Sequence, residues 1–172
     1  MRLFIAIQLN DDMREALLDM QDRMREIGVQ GNYTRPENLH LTAAFIGEYP
    51  APEEVLEALE TVRFRPFELA FGETGAFDRL WWAGLAENPQ LFAVVRKVRR
   101  ALADAGIPFD RKKFRPHITL IRNASGRRDL TVADVIQSAP AAAMTVNHIS
   151  LMRSDRGRQG MIYTELGRIV AE

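Results

Sequence analysis

Cysteine is absent from this chain of 172 residues. That absence rules out disulfides, thiolate nucleophiles and thiolate metal sites, and it fits a reducing compartment. Long apolar runs are missing too. The N-terminal stretch Leu3 to Leu9 contains Gln8 and meets Asp11 and Asp12 at once, which suits neither a signal peptide nor a membrane span. The protein is therefore expected in the cytoplasm. No linker or low-complexity segment divides the chain, and its length and 47% hydrophobic content allow one domain, or two small lobes sharing a core. Histidine is scarce, at three residues.

Charge of either sign is not lacking, but it is unevenly spread. Residues 1–77 hold 7 Lys+Arg against 14 Asp+Glu, and residues 78–172 hold 16 against 9, so the halves carry −7 and +7 within a net charge of zero. A basic half offers a local field for phosphate. Arg96, Lys97, Arg99 and Arg100, close together in one helical segment, read more simply as a solvated face.

What is present centres on Arg115-Pro116-His117-Ile118-Thr119-Leu120-Ile121-Arg122. The run reads as a strand on which His117 and Thr119 share one face while Ile118 and Leu120 point into a core. Seventy-seven positions earlier (117 − 40 = 77) the chain reads Arg35-Pro36-Glu37-Asn38-Leu39-His40-Leu41-Thr42-Ala43-Ala44-Phe45-Ile46-Gly47, again with Arg-Pro upstream of His-x-Thr.

The same offset organises the whole chain. Arg2 to Leu9 reads as a doubly buried strand. A helix follows with Met13, Ala16, Leu17, Met20, Met24 and Ile27 at helical spacing, acids in its first turn and Gly28 to end it. After the His40 strand, Pro52 opens a second helix and Phe67 to Phe71 alternates as a strand. The second half repeats the order: a strand Leu80 to Leu85, a helix capped by Asn88-Pro89 and stopped by Gly106, the His117 strand, a short helix from about Asp129, and a strand Thr145 to Met152. A final strand, Met161 to Leu166, has no counterpart. The repeat spans approximately 1–77 and 78–172, with Gly72-Glu73-Thr74-Gly75 as the expected crossing. A pseudo-two-fold axis would set His40 and Thr42 opposite His117 and Thr119 across a cleft. Periodicity leaves parallel and antiparallel pairing both open.

A facing pair of imidazoles, one neutral and one protonated, takes a proton from an attacking water and gives one to a leaving oxygen. Phosphodiester cleavage needs those two transfers on opposite sides of phosphorus, and threonine hydroxyls can donate to the non-bridging oxygens. A lone histidine on a strand is ordinarily a surface or internally bonded residue, and threonine is a good strand former. The duplication is what favours a site. Two histidines so far apart, with no acid at ligand spacing, make a poor zinc site, so neither a metal nor another cofactor is expected. His148, without a threonine partner, reads as structural.

His40-Leu41-Thr42-Ala43 and His117-Ile118-Thr119-Leu120, with their flanking Arg-Pro, resemble the paired signatures of the two-histidine phosphoesterase superfamily. Met1 to Ile7 and the closing Ile149-Ser150-Leu151-Met152-Arg153-Ser154 with Tyr163-Thr164-Glu165-Leu166 extend the resemblance, over almost the whole chain, to the RNA 2′,3′-cyclic phosphodiesterase branch, once called 2′-5′ RNA ligase. The resemblance implies an α+β, bilobal fold of two mostly antiparallel sheets around a central cleft with helices outside. It implies hydrolysis of RNA 2′,3′-cyclic phosphate ends to 2′-phosphates, with His40 as proton donor and His117 as acceptor. Ala43 and Ala44 replace the larger residue often found there, a change expected to touch packing rather than chemistry.

Arg122, Arg115 and Phe45 are the candidates for holding substrate. Ideal alternation sets Arg122 on the face opposite His117 and Arg115 on the same face, so either the strand bulges or ends before Arg122, or Arg115 binds phosphate; the resemblance favours Arg122. The same count sets Phe45 opposite His40, leaving a core role and base stacking both open. Competing readings are 2′-5′ ligation and an RNA-end-binding module without turnover. The expected partner is an RNA end or nucleotide rather than a long duplex or a membrane, bound by a monomer.

Overall fold

The computed structural model describes residues 1–126 and 140–172; the helix expected from about Asp129 lies outside them. Strand β1 (Arg2–Gln8) is buried on both faces, with Leu3, Ile5 and Ile7 in the main core and Phe4 and Ala6 beneath the opposite surface. Helix α1 (Asp11–Glu26) starts where the Asn10 side chain accepts from the Met13 amide at 2.9 Å, filling one orphan donor of the first turn. It buries Met13, Leu17, Met20 and Met24 on one stripe, and Gly28 leaves it at φ 92°. Then come β2 (Gln30–Tyr33), a 3-10 turn (Pro36–Asn38), β3 (His40–Glu48) and α2 (Pro52–Leu59).

After β4 (Phe67–Phe77) and β5 (Leu80–Leu85), helix α3 (Pro89–Asp104) is capped by Asn88, which accepts from the Leu91 amide at 3.0 Å, and it buries Leu91, Val94, Val95, Val98 and Leu102. The remaining strands are β6 (His117–Ser125), β7 (Ala143–Val146), β8 (His148–Gly157) and β9 (Gly160–Val170). One sheet runs β3-β1-β8-β9 and the other β2-β6-β5-β4-β7, with every pairing antiparallel. The fold is α+β, and a single cluster of buried residues joins both sheets and the three helices found among the described residues. No helix among the described residues is long and apolar enough to cross a membrane.

The sheets do not divide the chain at residue 77. β4 of the first half pairs with β5 and β7, while β8 of the second half pairs with β1. The segment expected as one strand, Thr145 to Met152, breaks at Asn147, where the chain passes from the second sheet to the first. Gly72-Glu73-Thr74-Gly75 is no crossing; it lies inside β4. A Cβ at Gly72 would stand 2.6 Å from the Leu85 carbonyl oxygen and one at Gly75 2.4 Å from the Trp82 ring, so these glycines serve close approach within a hairpin. Strand β2, Gln30-Gly31-Asn32-Tyr33, lacks the apolar alternation that would announce it and pairs as an edge beside β6.

Candidate functional site

His40 and His117 each open a strand, and each ring is held the same way. The backbone carbonyl of Asn38 accepts from His40 Nδ1 at 2.6 Å, and that of Arg115 accepts from His117 Nδ1 at 2.6 Å. A carbonyl only accepts, so Nδ1 carries the proton and Nε2 of each neutral ring keeps its lone pair. His40 Nε2 lies 2.8 Å from Thr42 Oγ1, whose hydroxyl donates to it while the ring is neutral. The turn before His40 is pinned in place by Asn38, whose Nδ2 donates to the Met161 carbonyl at 2.8 Å.

Aromatic rings brace both imidazoles. Phe4 and Tyr163 lie 5.0 and 5.3 Å from His40, and Phe77 and Trp82 lie 5.1 and 6.2 Å from His117, centroid to centroid. Burial pushes His40 below the ordinary histidine value; its bond to the Asn38 carbonyl opposes this, and the charges of Arg122 and His117 lower it further. Both histidines, both threonines, Phe45 and Arg122 line one cleft of about 380 Å³.

A pair of bulges explains how Phe45 and Arg122 come to face it. Against β1, Ala6 pairs with Thr42 and Ile5 with Ala44, so Ala43 is an extra residue in β3. Against β5, Trp82 pairs with Thr119 and Trp81 with Ile121, so Leu120 is an extra residue in β6. Ala43 and Ala44 are consecutively buried, as are Leu120 and Ile121. The count of faces then slips by one, and residues 45 and 122 rejoin the histidine face. Ideal alternation fails at both, and the two extra residues stand as far apart in sequence as the two histidines do (120 − 43 = 77). Arg115 does not line this cleft; its side chain lines an adjoining groove beyond His117. His148 stands apart, with Nδ1 donating to Asn147 Oδ1 at 2.7 Å.

The cleft also holds Arg2, Ser154, Arg156 and Tyr163, which sequence reasoning did not select. Arg2 shares the Phe4 face of β1 and lies over the Phe45 ring at 5.1 Å. Ser154 and Arg156 alternate on β8 beyond Met152, where the strand was expected to end. Among the described residues Arg2, Arg122 and Arg156 enter no ion pair, so three guanidinium groups are left to attract an anion.

Residues 14–158 match the model of the 2′-5′ RNA ligase superfamily, and the chain belongs to that superfamily. The RNA 2′,3′-cyclic phosphodiesterase of Archaeoglobus fulgidus is 32% identical over 96% of this chain and 98% of its own length. The enzyme of that name from Methanothermobacter thermautotrophicus is 29% identical over 96% of each. Among solved structures, Escherichia coli LigT complexed with 3′-AMP superposes with a TM-score of 0.83 at 28% identity, covering 99% of this chain and 97% of LigT.

Proposed function

We propose that this protein is an RNA 2′,3′-cyclic phosphodiesterase that opens cyclic phosphate ends to 2′-phosphomonoesters. The observation that carries the reading is the equivalent mounting of two imidazoles in one cleft, each with Nδ1 tied to the carbonyl two residues before it, which leaves Nε2 to exchange a proton, in His40 beside Thr42 Oγ1. The relatives bearing that activity's name support it.

In this scheme His117 Nε2 removes a proton from water as its oxygen attacks phosphorus. The bond from phosphorus to the 3′ oxygen breaks, and protonated His40 gives its Nε2 proton to that oxygen. The proton taken from water passes from His117 to solvent, and His40 takes one back from solvent, before the next turnover. Thr42 and Thr119 donate to the non-bridging oxygens and Arg122 balances their charge, an arrangement that is strongest where water is excluded. The low position of His40 in the free protein is countered when an anionic phosphate sits against it. Both proton transfers are supplied by side chains, so the scheme contains no metal step.

Each chain holds both histidines, so a single two-lobed unit over residues 1–172, working as a cytoplasmic monomer, suffices for the site. Phosphorus NMR of the product is the test. A 2′-phosphate supports the reading; a 3′-phosphate would overturn the assignment of leaving oxygen, and joined RNA ends would favour ligation by the same groups.

A further inference from the structure

The cleft does not end at His117. A second groove of about 260 Å³ shares Thr42, Phe45 and His117 with it and continues over the loop between α3 and β6. Its rim carries Lys112, Lys113 and Arg115, all exposed, and none of them pairs with a carboxylate among the described residues. Its wall carries Phe77 and Phe45, both 37% exposed, beside the half-buried Phe114. Exposed aromatic rings interleaved with unpaired cations match the stacking faces and phosphates of a single strand.

The loop is a built surface. Asp110 donates from its backbone amide to the Phe45 carbonyl at 2.8 Å, and its side chain accepts from the Lys112 amide at 2.9 Å. Arg99 ties the loop to β3, donating through Nη1 to the Lys112 carbonyl at 2.7 Å and through Nε to the Ala43 carbonyl at 3.3 Å, with its guanidinium over Phe114 at 5.7 Å. Arg99 is thus a strut, not part of the solvated face that its neighbours suggest. Lys112 and Lys113 are left facing outward on a backbone that is fastened at both sides.

We propose that this groove binds the single-stranded RNA on the 5′ side of the cyclic end. The terminal nucleotide fills the cleft, the preceding phosphates lie along Lys112, Lys113 and Arg115, and a preceding base stacks at Phe77. The inference rests on the proposed activity and adds to it a surface for the chain upstream of the reacting end, through which a strand of several nucleotides is preferred over a cyclic mononucleotide.

The test compares the wild-type protein with Lys112→Glu/Lys113→Glu on two substrates, a cyclic mononucleotide and a hexanucleotide with a 2′,3′-cyclic end. Neither of these two exposed lysines lines the cleft that holds both histidines and Arg122. Wild type should show a higher kcat/KM on the hexanucleotide. The variant should lose about tenfold or more on it at low salt, with a shallower salt slope, and stay within about twofold on the mononucleotide. Equal losses on both substrates, or none on either, would overturn the groove. Anisotropy with a labelled hexanucleotide ending in a 2′-phosphate gives a readout free of turnover. If wild type binds it and the variant does not, the groove stands even where hydrolysis is absent and the proposed activity fails. Equal binding by both proteins removes the groove whatever the activity.

Discussion

Gln21 on α1 donates its side-chain amide to the backbone carbonyl of Leu120 at 3.0 Å, and to that of Thr34 at 2.9 Å. Leu120 is the extra residue of the β6 bulge, and Gln21 is 1% exposed, so a buried polar side chain braces the irregularity that turns Arg122 into the cleft. In the other half Arg99 on α3 donates to the carbonyl of Ala43, the extra residue of the β3 bulge. Each long helix thus supports the histidine strand of the opposite half.

Replacing Gln21 with Leu should therefore weaken more than the fold. Loss of its bonds costs about 1–3 kcal/mol, as expected when buried backbone groups lose partners. Denaturant midpoints check that figure. If the brace positions Arg122, kcat/KM at a temperature where the variant remains folded falls as well; unchanged activity would make Gln21 a matter of stability alone.

Arg122 and Arg115 separate by position. Arg122→Ala should lower kcat on a cyclic mononucleotide by about 10²-fold, the scale seen when a charge-stabilising donor is removed from a transition state. Arg122→Lys should recover part of it, since a point charge lacks the guanidinium fork. Steady-state kinetics on purified, folded variants decides, and a change in KM alone would assign Arg122 to binding rather than to the transition state.

Thr42→Val and Thr119→Val keep the branched shape that suits a strand and remove only the hydroxyl. Each should cost about 10²-fold in kcat with little change in melting temperature. Thr42→Val also removes the partner of His40 Nε2, 2.8 Å away. A proton NMR titration of the His40 ring in that variant should differ from wild type, whereas Thr119→Val should leave it closer to unchanged.

The titration of His40 carries a sign. Burial, with the charges of Arg122 and His117, holds it below its ordinary 6.5. Its midpoint by NMR should lie under that value in the free protein and rise in Arg122→Gln, which removes one of the lowering charges. The unfolded state then binds more protons between the folded and unfolded values. The contribution to stability is full above the unfolded value and is lost as pH falls through the folded one. Urea midpoints measured downward from pH 7.5 should drop further for wild type than for His40→Asn. A midpoint for His40 at or above 6.5 would contradict the account.

The helices and most strands are legible in the sequence because caps, glycine stops and apolar spacing act locally. Asn10, Asn88, Gly28 and Gly106 mark ends that the structure keeps. The paired His-x-Thr motifs are legible because their side chains lie within one strand's alternation. What the sequence conceals is non-local. The bulges at Ala43 and Leu120 leave no local mark, since each is fixed by register against another strand. The break at Asn147 and the exchange of β4 and β8 are decided by which sheet each segment completes. Arg2, Ser154 and Arg156 stay hidden because they reach the cleft only after β1 and β8 pair. Gly72 and Gly75 mislead because close approach and chain crossing favour the same residue.

The most direct measurement is hydrolysis of a 2′,3′-cyclic phosphate oligonucleotide in excess chelator by wild type, His40→Ala and His117→Ala. The account predicts metal-free turnover by wild type, and a loss in each variant of about 10²-fold or more, the range for a positioned acid or base. Activity that survives either substitution, or that disappears with the chelator, would contradict the paired-histidine mechanism.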